Sequence, residues 1–128
     1  MKKMKNLIRI IVLISTTMLL FFGCVSAPVV PSNLMVDPDP NNPYQGTWIN
    51  KKTLDSISVI RGNVVSTYEN LKPVGYPLPD WQHRNDFNIN SIDNNYVFKG
   101  VTYPMQLSNN NNTLTMNLTE LERCVRAK

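Results

Sequence analysis

The side chains of this sequence that could perform acid–base or nucleophilic chemistry are few and scattered. His83 is the only histidine, and Asp80 and Asp86 lie three residues to either side of it. In a loop or a strand this spacing does not bring three side chains to one point, whereas a metal site needs a ligand set with fixed geometry. Cys124 could pair with His83 as a nucleophile, but no feature of the sequence lowers the pKa of its thiol. We therefore expect no metal, no cofactor and no enzymatic activity.

The second cysteine, Cys24, follows Gly23 at the end of an apolar run. The chain begins with four basic residues and no acid, and residues 10–22 form an apolar stretch broken only by Ser15, Thr16 and Thr17. That stretch is shorter than the roughly 20 residues that a helix needs to cross a bilayer. A basic start, a short apolar run and a small residue at its end are typical of a secretory signal peptide. We predict that residues 1–23 are this signal peptide.

The Gly23–Cys24 pair resembles the lipobox of bacterial lipoproteins, in which a glycine or alanine directly precedes the cysteine. The resemblance implies cleavage after Gly23, so that Cys24 becomes the first mature residue and carries acyl chains such as palmitate. A single acyl chain binds a membrane only marginally, so stable anchoring takes a second one. Val25 is not the acidic residue associated with inner-membrane retention in some bacteria. The expected location is the cell envelope, anchored by lipid to the outer membrane.

The positive charge of the chain belongs mostly to its start. The full sequence has a formal net charge of +4, but four of its 13 basic residues precede Cys24. The remaining nine basic residues are balanced by nine acidic ones, and they form no basic stripe. Nucleic-acid binding requires such a stripe, so we expect no nucleic-acid partner.

Residues 24–43 are rich in proline, which fixes φ and cannot donate a backbone hydrogen bond. This composition predicts a lipid-anchored tether rather than a helix or a central strand. At about 3.1 Å per residue, such a spacer would extend up to roughly 60 Å from the membrane. Its apolar residues Val29, Val30, Leu34 and Val36 leave open that part of it packs on the body.

Residues 44–128 change to short alternating runs separated by turn signals. Predicted turns lie at residues 61–63, 93–95 and 109–112, where glycine and asparagine tolerate positive φ. We predict an all-β domain, a small antiparallel up-and-down meander barrel of about eight short strands, because closure removes exposed edges. The predicted strands cover residues 46–51, 56–60, 64–69, 86–90, 96–99, 101–107, 113–118 and 120–125.

Gly46-Thr47-Trp48 resembles the Gly-x-Trp signature of lipocalins and their smaller lipocalin-like relatives. The resemblance implies that Trp48 closes one end of the barrel and that a basic side chain of the last strand lies over it. Arg123 is the candidate, since alternation places it on the face of Leu121 and Val125, and Arg126 is the fallback. A core aromatic residue without further meaning would fit the position of Trp48 equally well.

Residues 71–84 form a long segment with three prolines, and long loops in compact domains are often functional. Tyr76, Trp81 and His83 are the candidate contacts for a ligand or a partner, although Tyr76, Leu78 and Trp81 could instead fold back and cap the barrel. Two functions follow. The first is a non-enzymatic envelope module that binds a small apolar ligand inside the barrel. The alternative is a protein-interaction module, an adhesin or an envelope protease inhibitor, which acts through this loop or the tether and has a filled interior.

Overall fold

The structure, a computed structural model, describes residues 29–73 and 75–125. Gly23, Cys24 and Arg126 lie outside the described residues, so the signal peptide and the acylated cysteine stay predictions. Within the described ranges, no helix has the length and apolar character that a membrane span requires.

Eight antiparallel strands form a closed barrel in which each strand pairs with the next along the chain and the last pairs with the first. This confirms the predicted all-β, up-and-down meander barrel. A short 3-10 turn at Ser32–Leu34 precedes the barrel. The strands are β1 (Gly46–Asn50), β2 (Ser56–Arg61), β3 (Val64–Asn70), β4 (Trp81–Asn90), β5 (Asn95–Phe98), β6 (Val101–Ser108), β7 (Thr113–Met116) and β8 (Thr119–Cys124).

The tight turns fall where the sequence supplies residues that accept a left-handed backbone. Gly62, with φ of 62°, lies between the paired residues Arg61 and Val64. Asn94 turns the chain before β5 with φ of 53°. Residues 109–111 are three consecutive asparagines in the left-handed region, and they form the tip that the sequence predicts before β7. Asparagine tolerates this region better than most residues, so these turns set the register of the strands.

Side chains fill the inside of the barrel. Strand alternation places one face of every strand on the inside, and the inward residues from seven of the eight strands form one buried cluster. An eight-stranded barrel is just wide enough for side chains to fill it. The buried members are Tyr44, Trp48, Ile60, Val65, Ile89, Met105, Leu114, Met116 and Leu121.

The described part of the predicted tether lies along the outside of the barrel. Leu34 is buried against Ile49, Ile57 and Val59, which face outward from β1 and β2. The hydroxyl of Thr47 donates to the carbonyl of Leu34 and accepts a hydrogen bond of 2.9 Å from the amide of Val36. Residues 29–43 are therefore packed on the wall, as their apolar residues allowed. We call this stretch the wall segment.

Two predicted strand boundaries are wrong by more than one residue. β4 begins at Trp81 rather than at residue 86, so the connection between β3 and β4 covers only residues 71–80. β7 ends at Met116, because Asn117 adopts φ of 57° and starts a tight turn. Leu118, placed by alternation on the face of the core, is consequently 91% exposed.

The connections of an up-and-down barrel alternate between its two ends. We call the end that carries residues 51–55, 71–80, 99–100 and 117–118 the loop end. The opposite end carries residues 62–63, 91–94 and 109–112 together with the lead-in to β1, and we call it the closed end.

Candidate functional site

The closed end brings Gly46, Trp48 and Arg123 together. The guanidinium carbon of Arg123 lies 4.3 Å from the centre of the Trp48 ring. The two residues are directly opposite each other in the pairing of β1 with β8. The indole nitrogen of Trp48 donates to the carbonyl of Tyr44 at 2.9 Å. Gly46 leaves the space that the guanidinium occupies, since a Cβ there would lie 2.6 Å from Nη1 of Arg123. The basic side chain over the tryptophan is thus Arg123.

Arg123 joins four parts of the chain. Its Nη1 donates to the carbonyl of Gln45 and its Nη2 to that of Pro43, both at 2.7 Å, while Nε donates to Asn111 at 3.0 Å. Burial lowers the pKa of Arg123, and neutral carbonyls and the indole ring stabilise the cation. The arrangement holds the lead-in, β1, β8 and the asparagine tip together. It offers no reactive group.

A cleft of about 600 Å³ opens at the same end, between the lead-in and β6. Amide, hydroxyl and apolar side chains line it, and none of its lining residues carries a charge. The hydroxyl of Tyr44 donates to Oδ1 of Asn94, and burial raises the pKa of Tyr44, so this group stays protonated. The lining residues are Asn41, Asn42, Pro43, Tyr44, Asn63, Ser91, Asn94, Met105, Gln106 and Leu107.

Sequence reasoning missed this cleft because its amides come from segments that read only as turns. Asn63 and Asn94 belong to the hairpin turns at the closed end, and Asn41 and Asn42 to the lead-in. The sequence feature that indicates the cleft is the high number of asparagines in the connections that an up-and-down barrel places at one end.

At the loop end, the connection 71–80 does not cap the barrel. Leu71, Tyr76 and Leu78 are exposed, Leu78 by 80%. The Tyr76 ring has the ammonium of Lys72 above it, 5.3 Å from the ring centre. The alternative in which these side chains fold back over the barrel is therefore wrong.

Trp81 and His83 lie in β4 and not in the loop. Trp81 is half-buried against Leu34, Ile49, Ile57 and Val59, which we call the outer wall cluster. Its indole nitrogen donates to the carbonyl of Val29 at 3.1 Å. It thus binds the wall segment of its own chain. Of the three predicted contacts, only Tyr76 stands free in the connection between β3 and β4.

His83 and Asp86 meet, contrary to the expectation from their spacing. The pairing between β3 and β4 shifts by one residue after Thr67, which is the mark of a β-bulge in β4. The extra residue turns two positions three apart onto one face. Nε2 of His83 lies 2.8 Å from Oδ1 of Asp86, with the Tyr68 ring 5.4 Å from the imidazole. Asp80 stays apart, because its carboxylate accepts from Gln82.

The His83–Asp86 pair is not arranged as a nucleophile and its base. Hydrogen bonds from His83, the larger cause, and from Ser66 lower the pKa of Asp86. The carboxylate lies between imidazole and hydroxyl, whereas activation of a serine requires the imidazole to reach the hydroxyl directly. Cys124 packs against the outer wall cluster. Among the described residues, no group of three histidines, cysteines or acids could hold a metal ion.

The edge of β4 next to the loop end lacks a neighbour in β5. Pairing between these strands starts at Asn88 and Val97, so among the residues that the structure describes only β3 pairs with residues 81–87. Such an edge is a template for an added strand.

Comparisons with models of protein families, with curated proteins and with solved structures found no match.

Proposed function

We propose that this protein is a lipid-anchored, non-enzymatic binding module of the bacterial cell envelope, and that it binds a small ligand in the cleft at the closed end. The lipobox-like Gly23–Cys24 pair supports the anchor. The observation that carries the binding function is the uncharged cleft of about 600 Å³ beside a filled barrel.

The filled interior moves the binding site away from the barrel axis. Trp48, Ile60 and Leu114 are fully buried in one contiguous core, so the axis is occupied by the protein itself. The cleft has the size of ordinary ligand sites, which combine an apolar surface with a few convergent polar groups. Met105 and Leu107 supply that surface here.

The lining defines the chemistry of the ligand. Amide side chains both donate and accept hydrogen bonds, and the lining includes Asn63, Asn94 and Gln106. Because no charged residue lines the cleft, a charged ligand would lose its hydration without a partner. A neutral molecule with several hydroxyl or amide groups and one apolar face fits best. This differs from the purely apolar ligand that the barrel pattern predicts.

Native mass spectrometry on the mature protein, released gently from the membranes of its own host, tests this function. We expect a bound species of a few hundred daltons by the usual size of such ligands. Gln106→Ala should remove it, while Thr102→Ala should not. Both residues lie on the outer face of β6, but only Gln106 lines the cleft. A bare wild-type protein, or equal retention by both variants, would refute the cleft as the site.

Protein binding is the second candidate, and the unpaired edge of β4 favours it. An extended peptide could add itself beside residues 81–87 through backbone hydrogen bonds. Among the described features, this edge gives the most support to an adhesin or a protease inhibitor. Arg84→Pro would test it by removing one amide within the edge, with Gln106→Pro as a control outside it. Only the first change should abolish capture of a protein partner crosslinked in the envelope, provided that circular dichroism shows both variants folded.

A further inference from the structure

The point where the described chain begins is fixed at the loop end. The carbonyl of Val29 accepts the indole hydrogen bond of Trp81, the first residue of β4, at 3.1 Å. Val29 lies five positions after Cys24, and five residues span at most about 18 Å. Because the wall segment is packed on the barrel, only the residues from Cys24 to Val29 can link an anchored Cys24 to the body. That reach is about the length of one short strand.

The connections of the loop end carry exposed apolar side chains. Leu71, Tyr76, Leu78 and Leu118 are all exposed there, and Leu118 and Leu78 almost completely. At the closed end Ile92 is exposed in a connection, and Val64 and Val125 are exposed where β3 begins and after β8 ends. Exposed leucine and tyrosine side chains at the end of the barrel where the described chain begins are the feature expected of a surface that another apolar phase covers.

The lysines have the same distribution. Between residues 29 and 125 the lysines are Lys51, Lys52, Lys72 and Lys99, and every one lies in a loop-end connection. Lysine stems can lie along apolar surface while the ammonium stays at the polar boundary. The ammonium of Lys72 lies over the ring of the exposed Tyr76. Asp55, Asp80 and Glu120 lie at the same end, so this rim has little excess charge.

We propose that the loop end of the barrel lies directly on the lipid bilayer, with Leu78 and its neighbours in the connection 71–80 inserted among the headgroups. The proposal rests on the proposed acylation of Cys24. Tyr76 and the lysine rim occupy the headgroup layer, where aromatic and lysine side chains are favoured. The closed end and its cleft then face away from the membrane. Near-neutral charge at the rim makes the contact independent of anionic lipid.

Fluorescence quenching by brominated lipid tests this orientation. The full chain is produced in a host that acylates it, and reconstituted into vesicles of brominated phosphatidylcholine. Two variants are compared with the wild type, Leu78→Trp at the loop end and Ile92→Trp at the closed end. Both replaced residues are exposed apolar ones, by 80% and 90%, so neither change disturbs the core. Circular dichroism verifies that both barrels stay folded.

The quantity compared is the emission of each variant minus that of the wild type. For Leu78→Trp we expect this difference to be shifted to the blue and mostly quenched. The emission that Ile92→Trp adds should be unquenched. Intact mass reports acylation independently. Acylated protein in which neither variant is quenched, or both equally, overturns the orientation and leaves the anchor standing. A blue shift in host envelopes without quenching in vesicles points to a protein on this surface and also overturns the proposal. A chain without acyl groups overturns the anchor and the orientation together.

Discussion

At the scale of single residues, the closed end is built around the guanidinium of Arg123. Arg123 is bound by three backbone carbonyls and by the face of Trp48. Its planar guanidinium can use several donors at once, which a lysine ammonium cannot do in this fixed geometry. Gly46 belongs to the same arrangement, because its missing side chain leaves room for the guanidinium.

Gly46→Ala should destabilise the protein by about 2–3 kcal/mol. The backbone there has φ of 147°, and the new Cβ would lie 2.6 Å from Nη1 of Arg123. Gly62→Ala is the matched control, with φ of 62° and no atom within 4 Å of a new Cβ. It should cost only about 1–2 kcal/mol, the strain of a left-handed residue. Denaturant unfolding measures both. A cost for Gly46→Ala no larger than that of the control would refute the role of the close contact.

His83→Ala should raise the pKa of Asp86 toward its ordinary value, because the hydrogen bond from His83 is the main cause of its lowering. Ser66→Ala should raise that pKa less. The folded-state pKa of Asp86 is depressed, so its stabilising effect is present above the unfolded pKa and is lost as the pH falls through the folded one. Titration of the Asp86 carboxyl carbon by NMR measures both variants. A larger rise in Ser66→Ala would reverse the assigned order of causes.

At the scale of elements, the wall segment covers the outward face of β1 and β2. Without it, Ile49, Ile57 and Val59 would be apolar residues on the outside of the barrel. Leu34 and Val36 cover them, and the hydroxyl of Thr47 satisfies backbone groups of the segment. A proline-rich stretch can therefore be an integral part of the folded body, because proline prevents strand pairing without preventing apolar packing.

Leu34→Ala should lower the free energy of unfolding by about 2–3 kcal/mol, the lower part of the range for buried leucines, since a surface segment can partly collapse. It should also speed proteolytic cleavage within residues 29–43. Ser32→Ala serves as the control, because Ser32 lies in the same 3-10 turn but is exposed, whereas Leu34 is buried. If both variants unfold and are cleaved like the wild type, the segment does not contribute to the stability of the barrel.

The strand elements were predictable wherever alternation and turn chemistry agree. The turns at Gly62 and Asn94 and the tip 109–112 fixed most strand limits, and hence the closed barrel. β4 was predicted too short because the prolines before Trp81 suggest a loop, while its pairing with β3 is a long-range contact. The His83–Asp86 contact depends on a β-bulge, and a bulge is set by cross-strand register that alternation within one strand cannot reveal. The cleft needs the same long-range information.

At the scale of the whole molecule, the two ends of the barrel have opposite characters. The loop end carries Val29, the exposed leucines and every lysine between residues 29 and 125. The closed end carries the asparagine-rich turns and the uncharged cleft. A spacer of roughly 60 Å would leave the orientation of the body undetermined, whereas a link of at most about 18 Å would hold the loop end near the membrane if Cys24 is acylated as proposed. Under that proposal, the packing of the wall segment would determine which end of the barrel faces the solvent.

Replacement of the two cysteines separates anchoring from folding. Cys24→Ala should abolish acylation and release the protein from the membrane fraction, because the remaining apolar contact of the loop end is small compared with two acyl chains at about 0.8 kcal/mol per buried methylene. Cys124→Ala should stay acylated and membrane-bound, since Cys124 packs on the outer wall of the barrel. Intact mass and membrane fractionation read out both variants, and circular dichroism should show the same β-barrel in each. A Cys24→Ala protein that remains acylated and membrane-bound would refute the anchor. One that remains bound without acyl groups, and whose intact mass shows that residues 1–23 have been removed, would mean that the apolar loop end alone holds the protein at the bilayer.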